Sequence, residues 1–312
     1  MRKITSIFGI LAALALLLTG TVSSAFANAP EIHHGNAFTH VRNAARPGGS
    51  GNLSYHSGPV QTGTHNTYAI YWGSSFSSGY SSIINSYFTN VAAASGQTTN
   101  VYYSDTQYYN SAGTHITYSE HFGGSWNDTA LPSSSGCSST AGGSLCVSDA
   151  QLQSEVSKAI AANSWPTGLG AEYFVFLANG VSTCIGSSCA FSQFCAYHSN
   201  YTLNGASVLY ANMPYTGHNS AACGSGQSPN GNADADSTLN VTSHEANETI
   251  TDALGSAWYD RSGNENGDKC AWNFGSPTGN YNQTINGAHY YLQGEWSNAH
   301  NSGAGGCTWS GY

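Results

Sequence analysis

Hydrophobic spacing changes period along this chain, and each change marks an element. An apolar run from Ile7 to Leu18 stands behind Arg2 and Lys3 and closes on Ala25-Phe26-Ala27. A short positive region, about a dozen apolar residues and a small-x-small site read as a secretory signal peptide over residues 1–27, cleaved before Asn28. The run is shorter than the ~20 residues a membrane-spanning helix needs. Residues 28–53 show no period and carry Arg46-Pro47-Gly48-Gly49-Ser50-Gly51, so they read as a flexible leader. Residues 54–312 read as one domain.

Within that domain, Thr67-Tyr68-Ala69-Ile70-Tyr71-Trp72 is β-rich and ends at Gly73, which predicts a strand. Ile83, Ile84, Tyr87, Phe88 and Val91 then recur at helical spacing, predicting a helix over 81–94. A second helix is predicted over 148–162, capped by Ser148 or Asp149 and closed by Pro166. Residues 172–177 and 206–213 read as buried strands. A third helix is predicted to start near Asp236-Ser237 and to stop at Gly255. Strands alternating with helices point to an α/β fold with a central sheet flanked by helices, α+β being the alternative. Beyond Gly255 the sequence turns irregular and Trp-rich.

Charge narrows the partners. Loss of Arg2 and Lys3 with the signal peptide would take the formal charge from −9 to −11, leaving Arg42, Arg46, Lys158, Arg261 and Lys269 as the only Lys or Arg. Five scattered cations cannot track a phosphate backbone, so neither nucleic acid nor an anionic membrane is an expected partner. Eight cysteines, an even number, point to disulfides in an oxidising compartment. Cys137 with Cys146 and Cys270 with Cys307 are the short-range pairings expected. Cys184-x4-Cys189-x5-Cys195 does not have the spacing of a zinc knuckle.

The stretch that carries chemistry is Ser243-His244-Glu245-Ala246-Asn247-Glu248-Thr249-Ile250-Thr251-Asp252. Residues four apart on a helix stack one turn above another, so His244, Glu248 and Asp252 form one stripe with Glu245 beside it. Leu239, Ala246, Ile250 and Ala253 fall elsewhere and face a core. The helix of His-Glu-x-x-His metallopeptidases uses this geometry, with two ligands at i and i+4 and the intervening Glu as general base. Here the second ligand position is Glu248, and carboxylate oxygen is an accepted zinc ligand. An oxygen-rich site also accepts calcium or manganese. Glu265 or Asp268 is expected to fold back as third ligand. Asp252, two turns from His244, is expected in a supporting role. Six of the 16 acids (Glu245, Glu248, Asp252, Asp260, Glu265 and Asp268) fall within 24 residues, which is what lifts this motif above a solvated polar helix. His198 is a candidate proton donor, although it lies in loop-like sequence, as do His56 and His218.

Several blocks resemble the exordium-like, or phosphate-induced protein, family of secreted proteins. They are Tyr68-Ala69-Ile70-Tyr71-Trp72-Gly73, Cys189 to His198, Pro229 to Asp236 leading into His244-Glu245-x-x-Glu248, Ala257-Trp258-Tyr259, Glu265-x-x-Asp268-x-Cys270 and Gln293-Gly294-Glu295-Trp296. The resemblance spans most of residues 55–307 and implies an extracellular, cell-wall-associated protein; it assigns no reaction. The residues themselves predict a monomeric, zinc-dependent, peptidase-like hydrolase. In it, His244 and Glu248 bind the ion, Glu265 or Asp268 completes it, and Glu245 activates water against an extracellular peptide. The alternative is a non-catalytic wall protein in which a structural ion fills the cluster and aromatic rings bind polysaccharide. A glycosidase using Glu245 and Glu248 is disfavoured, because neighbours on one helix cannot flank a sugar bond.

Overall fold

The computed structural model describes residues 38–42, 51–139, 141 and 143–311. The predicted signal peptide and most of the predicted leader lie outside these residues. The centre is a six-stranded mixed sheet formed by β1 (Phe38–His40), β2 (His65–Trp72), β3 (Glu120–Asp128), β4 (Ala171–Leu177), β5 (Phe194–Leu203) and β6 (Ala206–Met213). Their order is β1-β5-β6-β4-β2-β3. The last four in that order run parallel, while β5 and β1 add antiparallel at one edge. Parallel neighbours need a crossover, and α1 (Tyr80–Ala93) supplies it between β2 and β3. β4 is buried along its whole length, and β2 at every residue but Asn66, as expected of central strands covered on both faces.

α2 (Asp149–Asn163) starts on a capping box. Ser148 Oγ accepts from the Gln151 N–H, and the Ser148 N–H donates to Gln151 Oε1. α3 (Ala233–Thr251) begins three residues before the predicted start because Asn232, not Asp236, is the cap, accepting from the Asp234 and Ala235 N–H groups. Tyr197 and His198 are adjacent on β5 and so point to opposite faces. Tyr197 donates to Asp149 of α2, while His198 meets α3, which puts these two helices on opposite sides of the sheet. α1 and α3 pack against each other.

Two readings change. The leader is not wholly irregular: residues 38–40 pair with β5, and Leu53 is buried with its N–H on Asn298. The irregular tail holds two short hairpins, 283–285 with 288–290 and 295–297 with 306–308. Four disulfides join Cys137–Cys146, Cys184–Cys189, Cys195–Cys223 and Cys270–Cys307, including both expected pairs. They suit an oxidising compartment. Among the described residues no helix is long and apolar enough to cross a membrane.

Candidate metal centre

α3 is polar in sequence yet buried over 235–251. Such a helix is tolerated inside only if its polar side chains find partners. Thr238 accepts from Tyr80, Thr242 returns to the Thr238 carbonyl, Asn247 to the Ser243 carbonyl, and Thr249 donates to Glu172. The atoms left over include those of the catalytic-type residues. His244 Nε2, Glu245 Oε2 and Glu248 Oε2 are buried with no hydrogen-bond partner.

The helical stripe forms as the spacing predicts: His244 Nε2 lies 3.0 Å from Glu248 Oε1. Two further segments close on it. β5 brings His198, whose Nε2 is 3.5 Å from Glu248 Oε2 and 2.8 Å from Glu265 Oε2. His198 is therefore a strand residue inside the cluster rather than a loop residue beside it. Glu265 precedes α4 (Asn266–Cys270) and caps it reciprocally with Asp268. The Asp268 N–H donates to Glu248 Oε1 at 2.9 Å, and its Oδ1 stands 3.9 Å from His244 Nε2. Both candidate third ligands thus fold back onto α3, with Glu265 nearer His198 and Asp268 nearer His244.

Ligand atoms of His198, Glu248 and Glu265 all lie within 4.8 Å of one another, as do those of His244, Glu245 and Glu248. Ligands held ~2.0–2.2 Å from one tetrahedral ion stand about 3.3–3.6 Å apart, so pair distances of 2.8–3.5 Å in the first group fit a cation without large movement. Asp252 takes the supporting role. Its Oδ1 accepts from the Ser256 and Ala257 N–H groups and turns the chain toward Glu265.

Burial sets the protonation states. It pulls His198 down to about 4 and lowers His244, so both rings are neutral, the form that ligates metal. Burial pushes Glu245 up to about 8 despite His244, and Glu248 up to about 7 despite His198. It raises Glu265 and Asp268 well above the carboxylate range, with the Glu248 charge adding to the effect. Burial thus favours the protonated form of each of these acids, and a bound cation would oppose it.

Three contributors carried no signal in the spacing. Gln293 bonds His244 Nδ1 through Nε2 at 2.5 Å, while its Oε1 accepts from the Trp272 N–H at 3.2 Å. In that arrangement the ring proton sits on Nε2, facing Glu248. Ligation through Nε2 requires the other tautomer, with the Gln293 oxygen turned to the ring. Gly267 is the second: a Cβ there would stand 2.8 Å from His244 Nδ1 and 3.0 Å from Glu248 Oε1, so only glycine lets α4 approach this closely. The third is Thr39 on β1, whose Oγ1 and N–H both donate to Glu245 Oε1, at 2.5 and 3.3 Å.

The other two loop histidines stay outside. His56 is exposed and stacks on Tyr259, and His218 bonds Asn179. A separate buried group was not foreseen either. His65 on β2 lies between Glu120 at 2.9 Å and Glu172 at 3.1 Å. Burial opposes its charge, but Glu120 and then Glu172 outweigh burial and push the ring up to about 10. No family model, curated protein or solved structure matches the chain.

Proposed function

We propose that this chain is a secreted, metal-dependent, peptidase-like hydrolase. The observation that carries the reading is the convergence of His198, His244, Glu245, Glu248 and Glu265 from three separate segments into one buried group with orphaned ligand atoms. A divalent ion held there would polarise a carbonyl and acidify water. Glu248 holds metal together with a histidine on either side of it, with Glu265 on the His198 side and Asp268 within reach of His244. Glu245 is the base that takes the proton from the attacking water, its carboxylate oriented by Thr39.

A peptide is the substrate class best supported. An extended chain segment is already seated on the cluster: Phe38–His40 pairs antiparallel with β5 opposite Phe194–Tyr197, and its Thr39 meets Glu245. That is the strand-addition mode by which extended peptides bind sheet edges. The disulfides and the N-terminal apolar run support export, and the resemblance to exordium-like proteins supports a wall or matrix setting.

Complete burial of His244, Glu245 and Glu248 favours the second reading, an ion-stabilised scaffold without turnover. Two variants separate the readings. In the hydrolase, Glu245→Gln keeps metal and fold and loses turnover by roughly 10²–10⁴, whereas His244→Ala loses metal. In the scaffold, Glu245→Gln is silent and His244→Ala still lowers the melting temperature. Cleavage of a peptide library, read alongside metal content, decides. A metal-loaded wild type that cleaves nothing leaves the scaffold, and undiminished cleavage by Glu245→Gln removes Glu245 from the chemistry.

A further inference from the structure

We infer that the cluster is built for two metal ions bridged by Glu248, an inference that rests on the metal-dependent reading above and extends it. The two oxygens of Glu248 address different histidines: Oε1 faces His244 Nε2 at 3.0 Å, and Oε2 faces His198 Nε2 at 3.5 Å. Each half has its own further carboxylate. Glu265 Oε2 lies 2.8 Å from His198 Nε2, and on the other side Asp268 Oδ1 is 3.9 Å from His244 Nε2, with Glu245 beside them as the base.

One shared ion does not fit this arrangement. Two ligands ~2.0–2.2 Å from the same zinc ion stand at most about 4.4 Å apart. Among the described residues, His198 and His244 fall in separate ligand groups even when 4.8 Å is allowed, and Glu248 is the member common to both. A carboxylate that offers one oxygen to each of two ions is the usual bridge of two-metal sites, whose ions sit ~3.5–4 Å apart.

Three buried atoms point the same way. His244 Nε2, Glu245 Oε2 and Glu248 Oε2 have no hydrogen-bond partner, and Glu248 Oε2 is the oxygen aimed at the His198 side. The charge count agrees. Glu245, Glu248, Glu265 and Asp268 carry a formal −4 when ionised, and the nearby Lys269 is committed to Asp260 at 3.1 Å. One divalent ion leaves half of that charge uncompensated in a buried site; two ions cancel it.

The test is metal stoichiometry on the full secreted chain, stripped with a chelator and reloaded with zinc or manganese. Wild type should hold two equivalents per chain by mass spectrometry of the metal. His198→Ala and Glu265→Gln should each fall to one, with circular dichroism confirming the fold; the milder Glu265→Gln serves if His198→Ala does not fold. Loaded with manganese, wild type should give the paramagnetic resonance spectrum of a coupled pair, and Glu265→Gln that of an isolated ion. One equivalent in wild type, unchanged by either variant, overturns the second ion and leaves a single His244 site. A wild type that holds one equivalent, with none left in either His198→Ala or His244→Ala, means a single shared ion, which also overturns the inference while the metal-dependent reading stands. No retained metal in folded wild type defeats both.

Discussion

Gly267→Ala is the most economical perturbation of the site, because it adds one methyl and removes nothing. Its Cβ would meet His244 Nδ1 at 2.8 Å, His244 Cγ at 2.9 Å and Glu248 Oε1 at 3.0 Å, where ordinary contact begins at 3.4 Å. Ring and carboxylate must therefore retreat by about half an ångström. Neither is free to do so: the ring is bonded to Gln293, and Glu248 accepts from the Asp268 N–H. Overpacking of this kind costs about 1–3 kcal/mol. Gly267 is in α4, where alanine regains about 0.5–1 kcal/mol of helix preference. The net is a loss of up to about 2.5 kcal/mol, centred on about 1 kcal/mol, or roughly 2–5 °C in Tm at that centre for a chain of this size. Displacing a ligand and its support should also weaken metal binding, by roughly 10–100-fold. Gly279→Ala is the control, since its Cβ would meet nothing within 4 Å. Calorimetry of both variants, with a chromophoric chelator competing for metal, reads both effects. Gly267→Ala melting with Gly279→Ala, at unchanged metal affinity, would refute the close approach of α4 to α3.

Three further outcomes are expected. Gln293→Leu should weaken metal binding roughly 10–100-fold at intact fold, because His244 loses the partner of its Nδ1, checked by chelator competition. Cys270→Ser with Cys307→Ser opens a loop spanning 37 residues of sequence, which costs about 4 kcal/mol on chain entropy and frees α4, so Tm and metal content should fall together. The unfolded His65 ring titrates near 6.5 and the folded one at about 10, so its stabilisation is complete below pH ~6.5 and drains as pH rises toward 10. Glu120 and Glu172, raised by burial, act in the same direction, so the urea midpoint of wild type should fall between pH 7 and 10, and a rising midpoint would sink the assignment.

The parts of the site legible in the sequence are those set by local periodicity. His244 and Glu248 meet because a helix repeats every 3.6 residues, and β2, β4, β6, α1 and α2 follow from apolar spacing to within a residue or two. Glu265 and Asp268 were legible only as acids concentrated before a cysteine. What stayed hidden depends on sequence-distant pairing. β5 was not read as a strand, because Tyr-His-Ser-Asn-Tyr-Thr mixes polar and aromatic residues on a strand near a sheet edge. Its His198 therefore looked like a loop residue. Thr39 could not be found because the segment that carries it has no period of its own and is placed by pairing with β5 and by contacts with distant residues such as Glu245. The Gln293 and Gly267 roles exist only once α4 and the tail lie against α3.

The distribution of acid inside the fold separates the candidate centre from ordinary buried polarity. Of the 16 acids, 13 are buried, so the negative charge of this chain is mostly an interior property. Most of the interior is balanced locally. His65 serves Glu120 and Glu172, Lys269 serves Asp260, and Lys158 stands 3.6 Å from Glu155. Tyr197 and Tyr210 donate to Asp149, and Ser228 and Asn230 to Asp236. Removing those acids leaves Asp105, Glu245, Glu248, Asp252, Glu265, Asp268 and Glu295. Asp252 is bonded to backbone N–H groups, and Asp105 to Asn266. Glu295, both of whose oxygens lack a hydrogen-bond partner, is raised by burial and by the charges of Asp105, Glu248, Glu245 and Asp268. The imbalance thus converges on one place, around Glu248. A buried carboxylate group of that size is stable only with protons or cations supplied to it. Two neutral histidines turned toward these acids add the nitrogen ligands that complete a cation site. The stability of the folded chain should therefore rise steeply with divalent metal: at a free concentration of 100 times Kd, one ion alone adds about 2.7 kcal/mol. Chelation of a folded, loaded sample should lower Tm by several degrees. A Tm indifferent to chelator would mean that protons, and not metal, balance these acids.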